Sequence, residues 1–220
     1  DISEAQRTNK HDYLNFNDFF TRSLKEGARP IHGRISSPAD GIVAAMGNIS
    51  ENILIQSKKH KYTTQKLLDE DTNEFNGGSF ITIYLAPHNY HRVHVPRTAE
   101  LYKASYIPGE LFSVNISTVE KVPKVFTRNE RLVCKFKTED GPMAEILVGA
   151  MLVAGIKPIW QSSPYEPRIE VRMELKHQFK QGDELGQFQM GSTVILLFSE
   201  PLDFIVKQGD QIRMGQAITR

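Results

Sequence analysis

The sequence has little cysteine and no long apolar run. Cys134 is the single cysteine in 220 residues, so an internal disulfide and a cysteine-based metal cluster are both excluded. The longest uncharged apolar stretch runs from Ile146 to Ile156, well short of the roughly 20 residues that a membrane-spanning helix needs. The start, Asp1-Ile2-Ser3-Glu4, has no initiator methionine and no signal-peptide pattern. We therefore expect a fragment or a processed product.

An excess of charge of one sign is also absent. The chain has 27 Lys and Arg against 26 Asp and Glu, a net charge of +1, which argues against a nucleic-acid binder that relies on a basic surface. The apolar fraction of 40% is typical of a soluble globular protein. No stretch rich in Gly, Ser or Pro divides the chain into independent domains. We expect an N-terminal, helical, membrane-proximal segment over residues 1–34 and one β-rich catalytic domain over residues 35–220.

The N-terminal segment carries aromatic residues at helical spacing. Phe16, Phe19, Phe20 and Leu24 predict a helix, with Asn15 or Asn17 as its N-cap. Docking on a protein core is the more common role of such a face, and attachment to a membrane or a partner is the alternative.

From residue 35 onward, short runs of β-branched and aromatic residues alternate with turn residues. This pattern predicts an α+β fold that is predominantly β, a single domain with a barrel-sandwich-like antiparallel core and an N-terminal helix. The predicted strands are 41–46, 53–56, 79–85, 93–95, 100–106, 131–138, 143–154, 169–175 and 193–198, and short helices are predicted at 63–68 and 117–122.

A small repeat lies near the C-terminus. Lys180-Gln181-Gly182-Asp183 recurs as Lys207-Gln208-Gly209-Asp210. Gly tolerates a positive φ and Asp accepts hydrogen bonds from nearby backbone, so each copy predicts a tight turn beside a strand. Such turns occur in lipoyl-like domains, and they indicate fold rather than function.

Three of the seven histidines fall in the segment His88-Asn89-Tyr90-His91-Arg92-Val93-His94. Histidine titrates near neutral pH, so acid–base catalysis is one interpretation, beside a structural role and a metal site. The valine and proline neighbours favour an extended segment, which would turn His91 and His94 to opposite faces.

Two further segments contain residues that could react. Gly191-Ser192-Thr193 precedes an apolar strand and would hold a hydroxyl beside a sterically open carbonyl, although an ordinary β-turn is the alternative. The Gly-x-Ser-x-Gly pattern of hydrolases is absent there. In the segment 36–41, Asp40 is either a turn residue or a charge partner for another site residue.

Residues 107–115 place apolar side chains around a Pro-Gly turn. Basic residues follow at Lys121, Lys124, Arg128 and Arg131. The segment is either a solvated loop or a surface that enters a lipid interface while Lys and Arg meet anionic head groups.

Several segments occur together in one order: Phe19-Phe20-Thr21-Arg22, Pro38-Ala39-Asp40-Gly41, Tyr90-His91-Arg92-Val93-His94-Val95-Pro96, Pro108-Gly109-Glu110-Leu111-Phe112-Ser113, Arg128-Asn129-Glu130-Arg131, Val148-Gly149-Ala150 and Met190-Gly191-Ser192-Thr193. In this order, over most of the chain, they resemble the phosphatidylserine decarboxylases of the membrane-associated bacterial and mitochondrial type. The family pattern has Leu where Met190 stands, an apolar change of similar volume.

The resemblance implies a proenzyme that cuts itself between Gly191 and Ser192. Ser192 would become a covalent pyruvoyl cofactor that forms a Schiff base with the substrate amine. Asp40 would orient His94, which would take the proton from the Ser192 hydroxyl, as in a Ser-His-Asp triad. His91 would supply a proton after CO₂ leaves, with His94 as its substitute. No metal is implied.

The implied reaction converts phosphatidylserine to phosphatidylethanolamine in phospholipid biosynthesis. The resemblance further implies an anionic membrane surface as partner, small and large chains that stay associated, a homodimer, and no nucleic acid. It implies peripheral attachment to a bacterial cell membrane or a mitochondrial inner membrane. The alternatives are a non-enzymatic lipid-binding or lipoyl-like module, and a zinc hydrolase that uses Asp40, His91 and His94.

Overall fold

The computed structural model describes residues 2–150, 155–189 and 192–220, which form a predominantly β structure. All the strand pairings described are antiparallel. In chain order the strands are β1 (Gly41–Asn48), β2 (Ile53–Ile55), β3 (Lys61–Thr63), β4 (Ser79–Leu85), β5 (Arg92–His94), β6 (Ala99–Ile107), β7 (Arg131–Thr138), β8 (Gly141–Gly149), β9 (Ile156–Pro158), β10 (Val171–Phe179), β11 (Glu184–Phe188), β12 (Ser192–Phe198) and β13 (Gln211–Ile212). The helices are a 3₁₀ turn (Lys10–Asp12), α1 (Phe16–Phe20), α2 (Thr64–Leu68), α3 (Ile116–Lys121) and α4 (Val125–Arg128).

The main sheet has eight strands in the order β10-β6-β7-β8-β12-β4-β1-β13. β12 lies inside this sheet and is hydrogen-bonded to β8 on one side and β4 on the other. All seven residues of β12 are buried, which fits its continuous apolar run and a strand covered on both faces.

Side chains alternate between the two faces of the main sheet and form two apolar clusters. Val194 and Leu196 belong to the larger cluster, whereas Ile195 and Leu197 belong to the smaller one. This alternation is the period of two that a strand imposes on its side chains. By the same alternation, each residue of β12 can be assigned to the face of the larger or of the smaller cluster.

A second, three-stranded sheet has the order β5-β11-β9, and a hairpin pairs β2 with β3. β5 contains His94, and the loop between β4 and β5 contains His91. The backbone N–H of Phe188 in β11 donates to the His91 carbonyl over 3.0 Å. The part of the histidine segment that forms β5, Arg92–His94, is therefore extended as predicted, whereas His88 lies in a turn.

The two Lys-Gln-Gly-Asp turns form as predicted. Asp183 accepts a hydrogen bond from the Lys180 N–H over 2.7 Å, and Asp210 accepts one from the Lys207 N–H over 3.0 Å. The middle glycines have φ values of 87° and 94°, a conformation that side chains with a Cβ disfavour. The first turn closes beside β5 and the second beside β1, since their backbones hydrogen-bond Val95 and Val43.

The N-terminal segment differs from the predicted long helix. α1 spans only five residues, capped by the Asn15 side chain as expected, and the rest is mostly turns and irregular chain. Phe20 is buried while Phe16 is 59% exposed. The segment packs on the β-rich body, because its Ala5 is buried and its Arg29 reaches Asp40.

The predominantly β prediction is confirmed, and the predicted bounds of β4 and β7 agree with the structure. Strand β8 ends at Gly149, and residues 151–154 of the strand predicted over 143–154 lie outside the described residues. Strands β3, β9, β11 and β13 and helix α4 were not predicted. Within the described ranges, no helix has the length and apolar character that crossing a membrane requires.

Candidate functional site

Ser192 opens β12, and its side chain is fully buried. Its backbone pairs with Leu85 of β4 and Gly149 of β8. Alternation along β12 puts the Ser192 side chain on the face of the larger cluster, with Val194. The Ser192 hydroxyl has no hydrogen-bond partner among the described residues. A buried hydroxyl without a partner destabilises a fold, so this position in the described chain makes Ser192 a candidate for a reactive group.

His91 is fully buried and stacks on Phe20, with ring centroids 3.9 Å apart. Its Nδ1 lies 2.9 Å from the Asn89 carbonyl oxygen, so Nδ1 carries the proton and Nε2 keeps its lone pair. Nε2 has no partner in the described part of the chain. Burial lowers the pKa of His91 to about 4, against the opposing effect of the Asn89 carbonyl. At neutral pH this ring is a neutral proton acceptor.

His94 has both ring nitrogens engaged. Nδ1 donates to the Gly182 carbonyl over 2.8 Å, and Nε2 accepts from the Tyr90 hydroxyl over 3.0 Å. Burial lowers the pKa of His94 as well, which favours the neutral ring. Gly182 belongs to the first Lys-Gln-Gly-Asp turn, so that turn fixes the tautomer of His94.

Asp40 is buried and held by two partners. Arg29 donates from Nε to Oδ1 over 3.0 Å and from Nη2 to Oδ2 over 2.7 Å. The Met214 N–H donates to Oδ1 over 2.8 Å. Asp40 therefore makes no direct hydrogen bond to His94, which the resemblance implied. Its charge still acts on both histidines, since it favours the protonated form of each ring and raises its pKa.

Glu130, to which the sequence analysis gave no role, lies beside the cross-strand partner of Ser192. Its carboxyl is buried, and its Oε2 accepts from the Tyr106 hydroxyl over 2.8 Å. A Cβ added to Gly149 would lie 2.7 Å from Glu130 Oε1, so this carboxyl occupies the side-chain space of Gly149. Gly149 is the cross-strand partner of Ser192. The sequence feature that could have drawn attention to Glu130 is its place in the segment Arg128-Asn129-Glu130-Arg131.

The neighbours of Glu130 in that motif are structural. Asn129 is fully buried, and its amide donates to the carbonyls of Phe112 and Gly149 over 2.8 Å each. The Arg131 guanidinium donates to four backbone carbonyls, including that of Leu67 over 2.7 Å. Burial lowers the pKa of Arg131 to about 10. Arg131 is thus enclosed, which corrects its expected position on a lipid-facing surface.

Lys121, Lys124 and Arg128 are exposed, as a lipid-facing surface requires. The Arg128 guanidinium lies over the Phe112 ring, 4.2 Å from its centroid. Arg128 Nη2 also pairs with the Glu110 carboxylate over 3.1 Å, so this guanidinium already has an anionic partner within the chain.

Two cavities are lined in part by the residues described above. One, of about 430 Å³, is lined by apolar side chains that include Val114 and Val119, by Thr193 and by three lysines, Lys58, Lys59 and Lys121. The other, of about 420 Å³, is polar and contains Asp40, Tyr90 and several arginines. The first combines apolar walls with cationic groups, the composition that suits an anionic amphiphile.

The structure brings Asp40 close enough to His91 and His94 to affect the pKa of both rings. Ser192 makes no hydrogen bond to these three side chains, and Gly191 lies outside the described residues. Asp40, His91 and His94 each have separate partners. Across the described ranges, no group of three or more His, Cys, Asp or Glu side chains is placed to hold a metal ion.

Comparison with known proteins gives one consistent result. The sequence model of a family described as phosphatidylserine decarboxylase matches residues 16–220. The phosphatidylserine decarboxylase proenzyme of Haemophilus ducreyi (strain 35000HP / ATCC 700724) is 44% identical over 236 residues, which cover 100% of this chain and 80% of that protein. The proenzyme of the same name from Alcanivorax borkumensis is 46% identical over 229 residues, covering 97% of this chain and 79% of the relative.

Proposed function

The chain belongs to the phosphatidylserine decarboxylase family, and from this premise we propose how its residues carry out the reaction. It is an enzyme, a decarboxylase made as a self-processing proenzyme that converts phosphatidylserine to phosphatidylethanolamine and CO₂. The observation that carries the residue-level proposal is the Ser192 hydroxyl, buried at the start of an internal strand and without a partner in the described chain.

We propose that Ser192 is the source of a pyruvoyl group after a cut between Gly191 and Ser192. The residues present fit such a group: Ser192 is a small, fully buried side chain, and the residue directly opposite it is Gly149, which adds no side chain of its own. When formed, the group supplies a ketone that binds the substrate amine and withdraws electrons as CO₂ departs. Ser192 Oγ is the nucleophile toward the Gly191 carbonyl carbon.

His94 is the proposed base for that step. Its Nδ1–H is committed to the Gly182 carbonyl, so Nε2 is the acceptor, and its lowered pKa keeps it in the basic form. Nε2 must first give up its hydrogen bond from Tyr90. Asp40 supports the charged ring electrostatically once His94 has taken the proton, since its carboxylate raises the pKa of His94.

His91 is proposed to act in decarboxylation. The resemblance implied an acid, but a pKa of about 4 favours the neutral ring, which accepts a proton at Nε2. The substrate enters as an ammonium and must lose a proton before its nitrogen can react, and His91 is the acceptor in this proposal. The ring that has accepted this proton can then return it to the carbon that loses CO₂, which is the acid role that the resemblance implies.

The cut pieces are proposed to stay together. β12 begins at Ser192 and lies between β8 and β4, so the smaller chain would keep an internal strand of the main sheet. Its seven buried residues would all have to be exposed for the pieces to separate.

The membrane is the proposed source of substrate. Exposed Leu14 and Phe16 of the N-terminal segment, and Phe112 beside exposed Arg128, supply apolar and cationic groups for an anionic lipid surface. From the resemblance we also propose that the protein attaches peripherally to a bacterial cell membrane or a mitochondrial inner membrane. The resemblance further suggests a homodimer.

An intact mass spectrum of the purified protein tests the cofactor. We expect two chains, with the smaller starting at position 192 and lighter than its serine form by one ammonia. Ser192→Ala should give one uncut chain without decarboxylase activity, and Thr193→Ser, the matched control next to it, should still be cut. A wild-type chain that decarboxylates phosphatidylserine while remaining uncut would contradict the proposal.

A further inference from the structure

Arg22 is a buried arginine that forms no ion pair with the described residues. It is only 6% exposed, and its guanidinium lies over the Phe19 ring, 4.8 Å from the centroid. Nη1 donates to the Phe19 carbonyl over a long 3.4 Å, and Nε has no partner in the described ranges. A buried guanidinium without a counter-charge is costly in free energy, so a ligand that brings an anion would stabilise it.

Arg22 lines the polar cavity of about 420 Å³. The other arginines of its wall are already paired with its carboxylates: Arg29 with Asp40 and Glu4, and Arg213 with Glu4. The guanidinium of Arg22 is therefore the one in this described wall that no carboxylate balances. The cavity offers both the space and the charge that an anionic group requires.

This cavity lies at the end of the main sheet where β12 begins. Ser192 pairs with Leu85, and the residue that follows Leu85 in the chain, Ala86, lines the cavity. The charge of Arg22 also lowers the pKa of His91, so the guanidinium lies near that ring. An anion bound by Arg22 would thus lie near the serine and the histidine to which the proposed function assigns the reaction.

The polar cavity also adjoins the apolar cavity. Ile42 lines both of them, and the apolar cavity of about 430 Å³ has walls that include Val114 and Val119. A molecule lying across Ile42 would have its charged group beside Arg22 and its hydrocarbon against apolar side chains. Neighbouring polar and apolar spaces of this kind suit a phospholipid.

The substrate of the proposed reaction has two anionic groups, a carboxylate and a phosphodiester. The carboxylate loses its charge as CO₂ leaves, so a cation bound to it would stabilise the ground state more than the transition state and would slow the reaction. The phosphodiester keeps its charge throughout, and a guanidinium can bind it by two parallel hydrogen bonds. The phosphodiester is therefore the group that Arg22 can hold without opposing the chemistry.

Resting on the proposed function, we propose that Arg22 binds the phosphodiester of phosphatidylserine in the polar cavity, with the unpaired Nε as one donor. Arg22 is then a substrate-binding residue that takes no part in proton transfer. Because the phosphodiester has the same charge in the ground state and in the transition state, the contact should act on KM rather than on kcat.

Kinetics of the cut enzyme on phosphatidylserine in mixed micelles test this role. We expect Arg22→Gln to be cut like wild type, to raise KM by about 10- to 100-fold and to leave kcat within about fivefold. Arg213→Gln is the matched control, because Arg213 lines the same cavity but its side chain is 69% exposed and pairs with Glu4. Its KM should stay within about threefold of wild type.

Two kinetic results would overturn the proposal. A KM for Arg22→Gln within about threefold of wild type would mean that the substrate does not use this guanidinium. A loss confined to kcat would mean that Arg22 acts in the chemical step instead of in binding.

A second readout needs neither the cofactor nor a substitution of Arg22, so it holds even if Arg22→Gln fails to fold. In the uncut Ser192→Ala protein, NMR follows the Arg22 Nε–H resonance during titrations in phosphate-free buffer. Glycerophosphoethanolamine, which has the phosphodiester but no carboxylate, should shift this resonance in a saturable way. Free serine, which has the carboxylate but no phosphodiester, should not. A resonance that neither probe shifts, or that serine shifts as strongly, would overturn the proposal.

The two readouts also separate this proposal from the proposed function. If wild type is neither cut nor active, the proposed function has failed, and the titration still decides whether Arg22 binds a phosphodiester. If wild type is cut and active but glycerophosphoethanolamine leaves the Arg22 resonance unchanged, the assignment of Arg22 alone has failed.

Discussion

The two sides of the candidate site are built differently. On the side of the main sheet, Ser192 and Glu130 are buried, with polar atoms that have no partner in the described part of the chain. On the histidine side, both rings have Nδ1 fixed by a backbone carbonyl. The contrast fits the two proposed tasks: among the described residues no hydrogen bond competes for the Ser192 hydroxyl, and the histidine side fixes the tautomer of each proposed base.

The largest effects are expected from substituting the two histidines, which tests the roles assigned to the histidine side. We expect His94→Gln to prevent cutting and His91→Gln to permit it while lowering decarboxylation by about 10²- to 10⁴-fold, because each removes one proton acceptor. Gel analysis of the cut and release of CO₂ measure the two steps separately. If His91→Gln remains uncut and His94→Gln matures, the two roles are reversed.

The ion pair between Arg29 and Asp40 gives the next largest expected effect. Both side chains are about nine-tenths buried, so Arg29→Met leaves an uncompensated carboxylate and should destabilise the uncut protein by about 3–5 kcal/mol. The more exposed pair Arg7–Asp18 is the matched control, and Arg7→Met should cost far less because solvent screens this pair. Urea unfolding of the Ser192→Ala background measures both, and equal losses would show that burial is irrelevant here.

His91 should also make stability depend on pH. Its folded pKa of about 4 is below the ordinary value of 6.5, so the unfolded chain binds more protons between these two pH values. Stability should therefore be unaffected by His91 above pH 6.5 and fall by about 3 kcal/mol as the pH drops to 4. His91→Gln should remove this part of the slope in urea unfolding curves, and an unchanged slope would contradict the buried neutral ring.

The smallest expected effect tests the contact on the sheet side. A methyl group at Gly149 would press on the Glu130 carboxyl, so Gly149→Ala should destabilise the protein by about 1–3 kcal/mol. The loss should shrink in a Glu130→Ala background, where the obstructing atoms are gone. Additive losses in this double-mutant cycle would mean that the two residues do not touch.

The strands that could be predicted are those with long apolar or alternating runs. β4 and β7 have such runs, and both their ends were predicted. β9 and β11 escaped prediction because they are short and include Pro158 and Gly186, residues that usually interrupt strands. The prediction of a long N-terminal helix was wrong, because only the short turn of helix that ends at Phe20 packs its aromatic side chain into the protein.

Within the site, the sequence could indicate residue types but not their partners. His91, His94 and Ser192 stand in recognisable segments, so their chemistry suggested a role. The partner of Asp40 was not predictable, since Arg29 reaches it through tertiary folding of an irregular segment. Glu130 had no visible role because its position depends on Gly149, and through it on the pairing of β8 with β12.

The internal position of β12 bears on whether the two pieces of one polypeptide stay together after it is cut. The proposed cut before Ser192 would leave the hydrogen bonds from this strand to β4 and β8 intact, whereas losing the piece would open two sheet edges at once. Folding must therefore come before cutting, and each mature molecule should hold two pieces of the same parent polypeptide. Isotope-labelled and unlabelled enzymes mixed after maturation should not exchange their smaller chains.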